Sequence, residues 1–209
     1  MTPRSIVFLF LILISPLSTA ATILVMGDSL SAGYGLPAEQ AWPAHLQRRL
    51  AALPGTHTVI NASISGETTA GGRSRLPHAL ATHEPDVVVI ELGANDGLRG
   101  LPLSAMQANL EHMVDAARKA GARVLLVGMQ LPPNYGPAYA NKFRSVFETV
   151  ARERNTAFVP FLLEGFATRR EWFQADGLHP TADAQPAIVD TLWPAIAPLV
   201  GIKQALATP

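Results

Sequence analysis

Cysteine is missing altogether from these 209 residues. Its absence excludes disulfides, thiolate catalysis, cysteine–zinc centres and lipid attachment at an N-terminal cysteine. Charge is also scarce. Only 15% of residues carry it, and sixteen basic residues balance sixteen acidic ones. There is no basic stripe, so no nucleic-acid partner is expected. No repeat recurs at solenoid spacing. No zinc-binding H-E-x-x-H motif occurs, so no metal is expected. The N-terminal apolar run, Ile6–Ile14, falls short of the roughly 20 residues that a membrane-spanning helix needs. What remains is ordinary globular composition, 48% hydrophobic, with enough chain for one domain and a sizeable core.

The opening "MTPRSIVFLFLILISPLSTAA" combines Arg4, that short apolar run, Pro16 and then small residues. This is the pattern of a secretory signal peptide over residues 1–21, with an uncleaved anchor as the alternative. Cleavage would leave a single domain over residues 22–209, periplasmic or secreted. In that oxidising setting a chain without cysteine is stabilised by packing alone.

Strand-like apolar runs alternate with amphipathic stretches. Ile23–Met26, His57–Asn61, Val87–Leu92, Arg123–Met129 and Ala157–Pro160 are predicted strands. "VVVIEL" and "RVLLVGM" are almost continuously apolar, as strands covered on both faces are. The spacing predicts helices over Trp42–Leu53, Thr69–His83, Ser104–Ala120, Ala138–Asn155 and Asp183–Val200. Pro194 is expected to kink or end the last of them. Strand–helix alternation of this kind implies an α/β fold, a five-stranded parallel sheet between two layers of helices. Ligands bind such sheets beyond the carboxyl ends of the strands.

The polar residues past those ends therefore hold the interest. They are Ser29 in "GDSLS", Gly66 in "SISGET", Asn95 in "GAND", and Asp176 and His179 in the late loop "ADGLHP". Singly, each has an ordinary structural explanation: a helix cap, a turn glycine, a turn asparagine, a solvated loop. The other histidines, His45, His57, His78, His83 and His112, share no pattern and read as surface or helix-face residues. Together the first group fits one chemistry. A serine hydroxyl attacks only when a base takes its proton, and His179 can be that base. Asp176, three residues earlier, can fix its tautomer. Acyl transfer also builds charge on an oxygen, for which the amides of Ser29 and Gly66 and the side chain of Asn95 are candidate donors. The order Gly27-Asp28-Ser29-Leu30-Ser31 is not the G-x-S-x-G elbow of α/β-hydrolases.

These blocks, in this order, resemble the GDSL or SGNH hydrolase family, whose defining serine, glycine, asparagine and histidine correspond to Ser29, Gly66, Asn95 and His179. "AWPAHL", "VINASISGETT", "ELGANDGLRG", "LPPNYG" and "LHPTADAQP" look like its exported bacterial branch, which combines thioesterase, arylesterase and lysophospholipase activity. The resemblance spans essentially the whole mature chain. It implies a flavodoxin-like three-layer fold, no cofactor, and hydrolysis of a small acyl ester, thioester or lysophospholipid through an acyl-serine. It assigns Ser29, Asp176 and His179 to a triad and Ser29, Gly66 and Asn95 to an oxyanion hole. A monomer is expected. "TAGGRSRLP" and "LPPNYGPAY" occupy the places of pocket loops, with Leu30, Leu131, Pro132 and Tyr135 as candidate substrate-binding residues. The alternatives are a carbohydrate O-acetyl esterase with the same triad, a binding module without chemistry, and a metal-dependent hydrolase using Asp28, Asp96, Asp176 and His179.

Overall fold

The computed structural model describes residues 20–202. The expected signal peptide falls almost wholly outside them. Five strands, β1 (Thr22–Gly27), β2 (Thr58–Asn61), β3 (Val87–Glu91), β4 (Arg123–Val127) and β5 (Ala157–Val159), form one sheet in the order β2-β1-β3-β4-β5. Every pairing is parallel. The helices are α1 (Ser29–Ala32), α2 (Trp42–Ala51), α3 (Thr69–His83), α4 (Ala94–Leu98), α5 (Leu103–Lys119), α6 (Pro137–Glu153) and α7 (Gln185–Leu199). On one side α3, α5 and α6 pack in a row; on the other, α2 packs against α7. This is the three-layer α/β fold that the alternating pattern predicts.

All five residues of β3 are buried, as its continuous run requires of a strand covered on both faces. Helix α5 buries Met106, Leu110, Met113, Val114 and Ala117, the stripe read from the 3, 4 spacing. Each of the larger ones, Met106, Leu110, Met113 and Val114, fully buried, contributes about 1.5–3 kcal/mol of transfer free energy. The strand order positions the site. β1 lies between β2 and β3, with Val25 opposite Asn61 and Gly27 opposite Glu91. The chain leaves β1 for one side, then crosses to the other, so the turns after all three strands meet at one sheet edge.

Three sequence expectations need correction. Pro194, expected to kink or end α7, does not end it: the helix runs on to Leu199. Pro194 lies on the exposed face, where water can take the carbonyl that the missing N–H leaves behind, and Ile188, Leu192 and Ile196 hold the opposite face in the core. "TAGGRSRLP" is the first part of α3, not a loop, and Gly72 packs so tightly on Leu92 that a β-carbon would collide with it. His57 is buried, with its carbonyl accepting from Gln47 Nε2.

Candidate active site

The first turn after the sheet settles what Ser29 is not. Asp28, not Ser29, caps α1: its Oδ1 accepts from the amide of Leu30 at 3.0 Å. The Ser29 hydroxyl is left to other partners. His179 Nε2 lies 2.9 Å from Ser29 Oγ, across 150 residues of sequence. On the far side of the ring, His179 Nδ1 lies 2.6 Å from Asp176 Oδ2. The other Asp176 oxygen accepts from the amides of Leu178 and His179, at 2.9 and 3.0 Å. Partial burial pushes the Asp176 carboxyl up, but the bond to His179, these two amides and the imidazolium charge outweigh it and bring it down to about 2. An ionised Asp176 can only accept, so Nδ1 carries the ring proton and Nε2 faces Ser29 as an acceptor.

Beneath the serine lies a buried polar layer that sequence reasoning did not find. Asp28 Oδ2 accepts from Asn95 Nδ2 at 3.0 Å. Burial raises Asp28 to about 6, although the Leu30 amide, Asn95 and the His179 charge pull it down. Glu91, at the end of β3, is fully buried, and its Oε2 accepts from Ser31 Oγ at 2.6 Å. Trp42 Nε1 donates to the same Ser31 oxygen at 3.1 Å. Desolvation, reinforced by the Asp28 charge, holds Glu91 well above the usual carboxylate range. The one acidic letter in "VVVIEL" was the available signal for it.

Asn95 sits in the first turn of α4. That helix is docked by two hydroxyls, Tyr135 on the Leu98 carbonyl at 3.0 Å and Tyr139 on the Gly97 carbonyl at 3.2 Å. Gly66 adopts φ +80°, a region that favours glycine, and its carbonyl accepts from Arg99 Nη2 at 2.9 Å. Ser29, Gly66, Asn95 and His179 all line one cavity of about 830 Å³. So do Leu30, Leu131 and Pro132, but not Tyr135, whose hydroxyl is turned to α4. Phe161, Leu163, Phe173 and Leu178, unforeseen in the sequence, make the rest of the wall largely apolar.

The carboxylates imagined as metal ligands are otherwise engaged: Asp96 accepts from the amide and hydroxyl of Thr69, at 2.8 and 2.6 Å. Among the described residues, no three His, Asp or Glu side chains are grouped as a metal site.

Residues 25–186 match the model of the GDSL-like lipase/acylhydrolase family. The chain belongs to that family. It is 50% identical to the esterase TesA of Pseudomonas aeruginosa, over 92% of this chain and 96% of that one. It is 41% identical to the thioesterase 1/protease 1/lysophospholipase L1 of Escherichia coli, over 92% of each. Among solved structures, the psychrotrophic esterase EstA of Pseudoalteromonas, in a form inhibited by monoethylphosphonate, superimposes with a TM-score of 0.82 at 42% identity, over 87% of this chain and 99% of that one.

Proposed function

We propose that this GDSL-family hydrolase cleaves carboxylic esters and thioesters of single acyl chains through an acyl-serine intermediate. The observation that carries the reading is the continuous hydrogen-bond path Asp176–His179–Ser29 opening on a largely apolar cavity. Ser29 Oγ attacks the carbonyl carbon while His179 Nε2 takes its proton. The C–O bond formed drives an electron pair onto the carbonyl oxygen. That oxyanion is met by the amides of Ser29 and Gly66 and by the Asn95 proton not bound to Asp28. Collapse breaks the bond to the alcohol or thiol, which leaves with the proton from His179. Water then repeats the sequence on the acyl-serine, again with His179 as base, and the carboxylate departs.

Leu30, Leu131 and Pro132 would hold the acyl chain, worth about 0.8 kcal/mol per buried methylene. The relatives' names, esterase and thioesterase/lysophospholipase, support varied leaving groups. Inhibition of EstA by a phosphonate supports an activated serine. We further read residues 1–21 as a signal peptide, residues 22–209 as one domain, and the mature protein as a periplasmic or secreted monomer. No helix among the described residues is long and apolar enough to cross a membrane. The test is intact mass after fluorophosphonate treatment: one adduct on Ser29 in the wild type and none on Ser29→Ala. An adduct mapped to Ser31, Ser63 or Ser65 would overturn the reading.

A further inference from the structure

Ser29 and His179 reach each other from opposite parts of the chain, and their mounts differ. Ser29 follows β1, buried in the middle of the sheet. His179 and Asp176 sit on a loop at the protein surface, with side chains 20% and 38% exposed. That loop is closed on itself. Phe173 and Pro180 form an isolated antiparallel bridge, and the Gln174 amide donates to the His179 carbonyl at 2.8 Å. The amide of Thr181 donates to the Trp172 carbonyl at 2.9 Å. These bonds fix the shape of the loop and leave open what registers it against the serine.

We propose that Gln174 is the positioning residue that sets the Ser29–His179 geometry, an inference that rests on the serine-hydrolase reading above. Its carboxamide spans the gap. Nε2 donates to the Tyr34 carbonyl at 2.7 Å and to the Pro180 carbonyl at 3.1 Å. The Tyr34 amide in turn donates to the carbonyl of Ser29 itself, at 3.0 Å. One residue, Tyr34, and one side-chain amide thus join the nucleophile's backbone to the residue following the base. At φ +76° residue 35 favours glycine, and a β-carbon there would meet Gln174 Oε1. The Tyr34 ring lies against the His179 ring with centroids 4.4 Å apart, so the same contact seats the imidazole. Arg170 braces the loop from behind, donating to the carbonyls of Gln174 at 2.8 Å and Ala175 at 3.0 Å.

The residue touches no reacting atom. Its effect passes through the distance between Oγ and Nε2, so it belongs to turnover rather than to substrate affinity. Two variants test it. Gln174→Ala removes the link. Gln174→Glu keeps the shape but turns a carboxylate toward two carbonyl oxygens; when protonated it regains one donor. In both, kcat on a short p-nitrophenyl ester and the rate of Ser29 phosphonylation should fall about 10–10²-fold at neutral pH, the scale of an approximately 1 Å misplacement. KM should stay within about twofold, and Tm should stay near that of the wild type. Relative to the wild type at each pH, the Gln174→Glu defect should shrink as the solution is acidified, while the Gln174→Ala defect stays constant. Unchanged kcat in both variants overturns the inference, as does an effect carried by KM alone, or by a fall in Tm large enough to unfold the protein during assay. Failure of the wild type to label at Ser29 instead overturns the reading on which it rests.

Discussion

Replacing Asp28 by asparagine sets stability against catalysis. Burial lifts this carboxyl from 3.8 to about 6, a difference worth roughly 3 kcal/mol at 1.36 kcal/mol per pH unit. The sign follows from linkage. A raised acid pKa means that the folded protein holds the proton more tightly than the unfolded chain. Stability is therefore greatest below pH 3.8 and falls as pH rises through 6, levelling off about 3 kcal/mol lower. Asp28→Asn abolishes that loss. It also leaves one acceptor oxygen where two served the Leu30 amide and Asn95 Nδ2; near pH 4, where the folded carboxyl is protonated, the lost bond costs about 0.5–1.5 kcal/mol. Near pH 4 the substitution should destabilise by roughly that amount. Above pH 7 the abolished loss outweighs the missing bond, so the variant should be more stable than the wild type. Relief of Glu91, which the Asp28 charge pushes up, adds to the gain at high pH. Urea denaturation of both proteins at pH 4.5 and 7.5 measures the difference directly. In kinetics, Asn95 loses its orienting carboxylate, and kcat should fall about tenfold, the equivalent of one modest hydrogen bond. Parallel stability curves for the two proteins across that range would refute a buried, ionised Asp28, and unchanged kcat would refute its hold on Asn95.

The other expectations concern the same site. Asn95→Ala should lower kcat by about 10²–10³ with KM little changed, because the contact strengthens as charge develops; steady-state kinetics on one ester decide this, and a rise in KM alone would make Asn95 a binding residue. Asp176→Asn should lower kcat, because a side-chain amide can present an N–H to Nδ1 and select the wrong tautomer. The depressed pKa of Asp176, about 2, gives a contribution to stability present above pH 3.8 and lost as pH falls toward 2, so the stability gap to Asp176→Asn should close only in that window. Across p-nitrophenyl esters and acyl-CoAs, kcat/KM should rise from acetyl to medium chains; a maximum at acetyl would favour a sugar O-acetyl esterase. Glu91→Gln should stabilise the protein in alkaline urea titrations, since it removes a carboxyl that resists ionisation where it is buried; a loss there would show that Glu91 is ionised and compensated.

Much of the fold was legible because burial on both faces leaves a plain mark. "VVVIEL" could hardly be anything but an interior strand, and the α3 boundaries, Thr69–His83, match those expected from the sequence. The three residues just past strand ends, Ser29, Gly66 and Asn95, were legible for another reason, and the late loop bearing Asp176 and His179 reaches the same edge. The sheet rule says where such ends converge, and Ser29, Gly66, Asn95, Asp176 and His179 all sit there. What stayed hidden depends on which way a side chain turns. Tyr135 looked like pocket wall, but nothing in "LPPNYG" reveals that its hydroxyl reaches the Leu98 carbonyl. Pro194 looked like a helix end because its sequence does not disclose that it faces solvent. Gln174, between two aromatic residues and the triad loop, has no local signal at all. The partner that links it to the serine, Tyr34, lies 140 residues away.

The sheet order has a consequence for when the chemistry can begin. Every strand lies at or before Val159, whereas His179 follows it by a loop and is anchored ahead of α7. A nascent chain can thus possess Ser29, the turns of Gly66 and Asn95 and all five strands, and still lack the base that the proposed mechanism needs. On the proposed mechanism, activity requires residues 172–181, whose backbone bonds close the loop that carries His179. If His179 is the base proposed above, it is the last part supplied, and the hydrolase is delivered with its trigger detached until the C-terminal quarter of the chain has docked.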